Sequence, residues 1–302
     1  MGIDYLKERY VNPYTDFGFK RLFGNEISKD LLISFLNALL HEEQHIVDIT
    51  YLRNEHLGVL EKDRKAVFDV YCENDKGEKF IVEMQKAEQQ FFKDRSVFYS
   101  TFPIREQALR GEWDYKLKAV YTIGILNFVF DENREDENYY HHEIKLMDIN
   151  KKEVFYDKLT FIYLEMPKFT KTETELETLF DKWMYVLKNL PRLMERPVAL
   201  QERIFERVFR VAEIAKFNKN ELVEYEESLK VFRDLNNVIN TAEQKGETRG
   251  EARGRAEGRA EGRAEGERKK ALDIARNLKS SGLPVEDIAK FTGLTLKEIS
   301  NL

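Results

Sequence analysis

Two β-type runs, 65–73 and 79–86, flank the string Asn74-Asp75-Lys76-Gly77, and no other feature constrains the fold of this chain as tightly. Both runs are rich in β-branched and aromatic residues, and the Asn/Asp/Gly cluster supplies the turn chemistry. With Asp75-Lys76-Gly77 as a three-residue loop and glycine at the left-handed position, the runs form one hairpin. Asn74 then faces Glu78, and Asp69 falls opposite Glu83. Side chains alternate across a strand. Phe68, Val70 and Cys72 share a dry core face with Phe80, Val82 and Met84. Val67, Asp69 and Tyr71 share the other face with Ile81, Glu83 and Gln85. Two carboxylates and an amide therefore lie in one cluster on an otherwise apolar face.

A purely structural hairpin would avoid that pairing, because like charges directly opposite cost roughly 0.2–1 kcal/mol, and more when desolvated. A divalent cation removes the repulsion and makes the pair a binding site. Oxygen-only ligands suit Mg²⁺ or Mn²⁺, held octahedrally with several waters. Such a cation polarises a phosphate oxygen and lowers the pKa of a bound water, so the reaction class that follows is phosphodiester hydrolysis. Alternatively, Asp69 and Glu83 stand at a solvent-exposed strand edge, paired with Arg64 or Lys86. A register slip of one residue would move the whole set to the other face.

The runs around the hairpin suggest its setting. Ser28 to Leu40 has the apolar spacing of an amphipathic helix, and Ile46 to Arg53 is β-rich. Phe91 to Arg110 reads as a helix with a kink at Pro103, its Phe91, Phe98 and Phe102 packed on the sheet. Lys118 to Phe128 reads as a buried central strand, and Glu143 to Ile149 and Phe161 to Met166 as later strands. Helix, three strands, helix, strand implies a mixed sheet with helices packed on it. The acidic stretch Asp131 to Glu137 is a solvated loop. Beyond it, Thr172-Glu173-Thr174-Glu175 resembles a capping box, and Pro197 stands where a helix-starting proline belongs. Helices near 172–189, 198–217 and 219–241 follow.

Four strings in this setting resemble the Rpn family: Asn12-Pro13-Tyr14-Thr15-Asp16-Phe17-Gly18-Phe19-Lys20-Arg21-Leu22-Phe23-Gly24, Phe35-Leu36-Asn37-Ala38-Leu39-Leu40, Phe68-Asp69-Val70 and Ile81-Val82-Glu83-Met84-Gln85. Arg95, Tyr99, Gln107 and Gly111 add to the likeness. These are recombination-promoting nucleases, also described as transposases, of the PD-(D/E)XK superfamily. The resemblance implies an α/β fold, a restriction-endonuclease-like mixed sheet flanked by helices, followed by an all-α region and a helical C-terminal tail. It implies a metal-dependent DNA endonuclease, with Asp69 and Glu83 as the metal carboxylates and Mg²⁺ or Mn²⁺ as cofactor. Gln85 stands where the superfamily usually has lysine. Glutamine orients a water without carrying charge, so weak cleavage would be unsurprising. A catalytically weak or inactive DNA-binding protein keeping the nuclease fold is thus the alternative function. Asp16 matches the family's N-terminal acidic position, as a third metal contact or a brace. Lys20 would neutralise a phosphate. Arg95 and Tyr99 share a helix face and are candidate contacts to the DNA backbone. The corresponding domain division is 1–168 nuclease-like, 169–241 a helical extension, 242–270 a glycine-period linker or helix, and 271–302 a helix-turn-helix-like tail.

The string His41-Glu42-Glu43-Gln44-His45 has metalloprotease spacing, but it sits in a polar helix-to-strand junction without apolar backing, so zinc is rejected. His141 and His142 precede a strand without an evident partner. In the tail, glycine recurs every fourth residue from Gly246 to Gly266, with eight basic and six acidic residues over 246–270. This reads as a linker or marginal helix, since each glycine costs a helix ~1 kcal/mol and a period of four drifts ~40° per repeat. A stripe for close approach of two chains and an arginine comb for phosphates are the other readings. The last helices carry four basic and four acidic residues, so packing or dimerisation competes with DNA reading.

Composition sets the outer bounds. At 302 residues, 42% apolar, the chain has material for about two domains and excludes wholesale disorder. A net charge of −6 leaves DNA binding to a local patch or a metal. No apolar run approaches membrane-spanning length, and the N-terminus lacks an apolar signal core. The lone Cys72 excludes a disulfide framework and points to a reducing, cytoplasmic setting. DNA is the expected partner, with a homodimer through the helical extension or tail as a second expectation.

Overall fold

The computed structural model describes residues 8–40, 45–53, 55, 56, 66–108, 114–133 and 135–302. His41–Gln44, Arg64 and Gly111 lie outside them, as do Met1–Leu6. Among the described residues the chain forms two compact units, Met1–Arg233 and Asp234–Leu302.

The first unit opens with α1 (Asp16–Phe23) and α2 (Lys29–Leu39). Thr15 caps α1, its Oγ1 accepting from the Gly18 N–H at 3.0 Å. A Cβ at Gly18 would stand 2.1 Å from the Asn12 carbonyl oxygen, so the turn into the helix closes only with glycine there. Asn37 of α2 holds Ile46 at both main-chain groups, at 2.7 and 2.8 Å, and fixes the exit toward the sheet.

The strands are β1 (Ile49–Tyr51), β2 (Glu55–His56), β3 (Ala66–Val67), β4 (Val70–Asn74) and β5 (Lys79–Gln85). After α3 (Phe92–Glu106) come β6 (Val120–Leu126), β7 (His141–Asp148) and β8 (Glu153–Glu165). Among the described residues the main sheet has the order β1-β4-β5-β6-β8-β7, and β2 pairs with β3 apart from it. β5, β6 and β8 run parallel, and the remaining pairs of the main sheet are antiparallel. This is the mixed sheet that the order of runs predicts, with α3 as the crossover between β5 and β6. β8 starts eight residues before the expected Phe161, because it pairs with β7 along a twisted hairpin with register shifts around Leu146.

Two layers cover the sheet. On one side α1, α2, α4 (Leu179–Asn189) and α5 (Arg203–Ala212) build the main core with Val70, Cys72, Phe80, Val82 and Met84. Trp183 anchors it, fully buried, with Nε1 donating to Ser34 Oγ at 3.1 Å. On the other side α3 packs over Tyr71 and Ile81. Gln107, just after α3, accepts from Lys118 N–H at 2.7 Å and donates to the Pro103 carbonyl, joining the helix to the start of β6.

Several local expectations are corrected. The Thr172–Glu175 capping box closes a single 3₁₀ turn, and a second box, Thr178 with Asp181, opens α4. Pro197 lies in a loop, with α5 starting six residues later. Phe91 and Phe98 are exposed while Phe92 is buried, so the helix presents a different phase to the sheet. His141 and His142 lie within β7. His142 Nε2 is 3.3 Å from the buried Glu165, and the His141 ring lies tilted 5.3 Å from that of Phe180.

The glycine-period segment belongs to α6 (Lys219–Ser280), one continuous helix. A Cβ at any glycine from Gly246 to Gly266 would meet nothing within 4 Å. Pairs such as Arg253–Glu257 at 2.6 Å support the helix from its own surface. The second unit ends with α7 (Val285–Thr292) and α8 (Leu296–Ser300), which enclose Ala275, Ile288, Leu294 and Ile299. Gly293, at φ +70°, makes the turn between them. Glu298 of the short α8 caps its own helix through Thr295 and pairs with Arg268 at 2.8 Å.

Replacing Gly254 and Gly258 by alanine should stabilise this helix by ~1 kcal/mol per site, since no contact is lost. Slower amide hydrogen exchange across 250–262 checks it; faster exchange would mean the glycines serve another packing.

Candidate active site

The hairpin has the register that its turn chemistry predicts. Val70 pairs with Val82, Tyr71 with Ile81 and Cys72 with Phe80, and Gly77 closes the turn at φ +81°. The ladder stops at Val70, and the chain bends at Asp69. There a side chain continues the pairing: Met84 N–H donates to Asp69 Oδ2 at 2.8 Å. In return Asp69 N–H donates to Glu83 Oε1 at 3.3 Å. Gln85 Nε2 donates to Glu83 Oε2 at 3.1 Å. Asp69, Glu83 and Gln85 are thus brought together at the carboxyl end of β5, where open α/β sheets place their ligands. The bend also overturns one assignment. Phe68 leaves the core face and packs against Tyr71, Tyr99 and Phe102 under α3.

The site is not an exposed strand edge. β5 lies between β4 and β6, and Glu83 and Gln85 are 7% and 8% exposed. Burial, with the Asp69 charge beside it, pushes the Glu83 carboxyl up to about 8, while the Asp69 N–H, Arg95 and Gln85 oppose the shift. Burial also raises Asp69, against the Met84 N–H; Asp16 raises it further, and Lys20 and Lys86 draw it down.

This geometry links stability to pH. The folded state holds a proton on Glu83 that the unfolded chain, with a carboxyl near 4.5, has released. The contribution is fully present below that value and is lost as pH rises toward 8, by on the order of a few kcal/mol. Thermal melts of metal-free protein between pH 5 and 8.5 should show this fall, and Glu83→Gln should flatten it. Parallel slopes for parent and variant would refute the linkage.

Around this centre the other candidates divide. Asp16 is exposed and paired with Lys20 at 3.1 Å. Both line a cleft of about 620 Å³ with Arg21 and Lys86 on its cationic side and Glu224 and Glu227 among its acidic lining residues. Arg95 lies over the rings of Phe92 and Tyr99, 5.4 and 5.6 Å from their centroids, and hydrogen-bonds Gln89. Its charge acts on Glu83, so it belongs to the site's interior field. Tyr99 is half-buried, its ring 5.2 Å from Phe68.

The oxygen donors of Asp69, Glu83 and Gln85 fit a hard cation, since a buried and a half-buried carboxylate held side by side leave a repulsion that such an ion would relieve. Among the described residues no three His, Cys, Asp or Glu side chains form a metal-holding group. Two carboxylates with waters completing the shell remain an ordinary arrangement for Mg²⁺.

Sequence reasoning named Lys86 only as a pairing partner in the strand-edge alternative. It directly follows Gln85, and strict alternation would turn it away, but β5 ends at Gln85 and frees it. It also missed Thr122 of β6, which no motif marks.

A family model described as PD-(D/E)XK nuclease family transposase matches residues 13–242. No curated protein and no solved structure matches the chain. Among the described residues no helix is long and apolar enough to cross a membrane.

Proposed function

The chain belongs to the PD-(D/E)XK nuclease family transposases, and from that membership we propose that it is a Mg²⁺-dependent DNA endonuclease hydrolysing phosphodiester bonds at Asp69, Glu83 and Gln85. The observation that carries this reading is the pair of crossed bonds at the bend, Asp69 N–H to Glu83 Oε1 and Met84 N–H to Asp69 Oδ2, which holds the two carboxylates at one end of β5. Mg²⁺, or Mn²⁺ in its place, would supply Lewis acidity toward the phosphate and a more acidic water.

The chain's own residues do the rest. Asp69 and Glu83 would hold the ion. Gln85 commits its amide N–H to Glu83, which leaves Oε1 to accept a hydrogen bond from the attacking water and orient it. Because that amide carries no charge, cleavage is expected to be slow. Asp16 braces the cleft side through Lys20, and Lys20 and Lys86 offer cations to the phosphates flanking the scissile bond. Arg95 and Tyr99 approach the backbone from α3. A DNA substrate and a single buried cysteine suit a cytoplasmic setting, with roles in recombination or mobile-element movement. A homodimer through the helical extension or the second unit is part of the same proposal.

Nicking of supercoiled plasmid tests it. The parent should nick with Mg²⁺ and stop with chelator. Asp69→Ala and Glu83→Ala should each fall by about 10²-fold or more in protein that circular dichroism shows to be folded, and Gln85→Ala by less. Equal nicking by parent and Glu83→Ala would sink the assignment. DNA retained in a gel shift without nicking by any form would instead make the chain a DNA-binding protein that keeps the fold.

A further inference from the structure

Thr122 sits on β6 in register with Ile81, and Gly124, two residues on, pairs with Glu83. Both face the layer under α3. Gly124 offers no side chain there, and a Cβ would stand 3.2 Å from the Phe92 ring and 3.1 Å from that of Tyr163. The space beside Glu83 is therefore set by its neighbours. It is a small cavity of about 10 Å³ lined by Glu83, Phe92, Arg95, Ser96, Tyr99 and Thr122.

Thr122 is 3% exposed, and its Oγ1 is a buried polar atom without a hydrogen-bond partner. Buried hydroxyls are as a rule satisfied by protein or by an ordered water. A cavity of this size holds one water, provided that two or more polar groups meet it. Here Thr122 and Glu83 are both lining residues, with Arg95 and Tyr99 on the α3 side. Each Glu83 oxygen already accepts one hydrogen bond, from Asp69 N–H and Gln85 Nε2, and has further acceptor capacity.

We propose that Thr122 is a positioning residue for Glu83, acting through one buried water that bridges its hydroxyl to the Glu83 carboxyl. The water adds a third point of restraint to a carboxyl otherwise held by two donors from the hairpin. It ties β6 to the site, so the plane of Glu83 is fixed from both neighbouring strands. Water-mediated bonds of this kind are nearly as favourable as direct ones. Its consequence for rate rests on the hydrolytic reading of the site.

Crystals of the full chain at a resolution that orders water, parent and Thr122→Val, test the bridge directly. The parent should show a water within hydrogen-bond distance of Thr122 Oγ1 and a Glu83 oxygen, and Thr122→Val should lose it. An empty cavity in the parent overturns the proposal whether or not the protein nicks DNA. Plasmid nicking tests the consequence: Thr122→Val should lower kcat by about 10-fold with KM for plasmid unchanged, while Thr122→Ser stays within about twofold of the parent. A parent that nicks and a Thr122→Val that matches it overturn the positioning role. So does a Thr122→Ser that falls as far as valine, because packing would then carry the effect. A parent that fails to nick removes the hydrolytic reading alone, and the bridge is then decided by the crystals.

Discussion

A carboxyl buried against a second carboxyl organises this protein. Glu83 is placed in the interior of the sheet, where an uncompensated charge is expensive. It is tolerated because the hairpin supplies donors: the Asp69 amide on one oxygen and the Gln85 amide on the other. Asp69 in turn replaces a ladder carbonyl for Met84. The strand bend, the loss of pairing beyond Val70 and the turning of Phe68 toward α3 all follow from that substitution. Stability and the proposed chemistry therefore meet at one point: the proton on Glu83 relieves the repulsion that a cation held there would also relieve.

The layers distribute labour around that point. The face bearing Val70, Cys72, Val82 and Met84 is a dry core sealed by α1, α2, α4 and α5, and it keeps the hairpin rigid. The opposite face carries the polar cluster under α3, with a cavity of about 10 Å³ beside Thr122. The carboxyl end of β5 opens between them, beside the cleft where Lys20, Arg21 and Lys86 collect. A chain with net negative charge can in this way present cations to a polyanion locally. The acidic residues of α6 in the same cleft lining limit how far that positive field extends.

The glycine-period helix shows a different balance. Its glycines weaken the helix and touch nothing within the chain, yet arginine–glutamate pairs at four-residue spacing and the small core around Ala275 and Ile288 keep the flanks ordered. In α8 the acidic Glu298 is committed to a cap and to Arg268.

Much of the site was legible in the residues themselves. Turn chemistry at Asn74 to Gly77 and the alternation of β-type runs determined the register, because a hairpin's loop length and its side-chain period leave few alternatives. The order of runs determined the mixed sheet for the same reason. What only the tertiary structure decided lies where regular periodicity stops. The bend at Asp69 reverses the side of Phe68, and the end of β5 frees Lys86. The phase of α3 buries Phe92 in place of Phe91. Thr122 reaches the site through a parallel pairing that spans about forty residues, and no local spacing encodes it. Periodicity is a property of one element, whereas burial and electrostatic environment depend on which other elements pack against it.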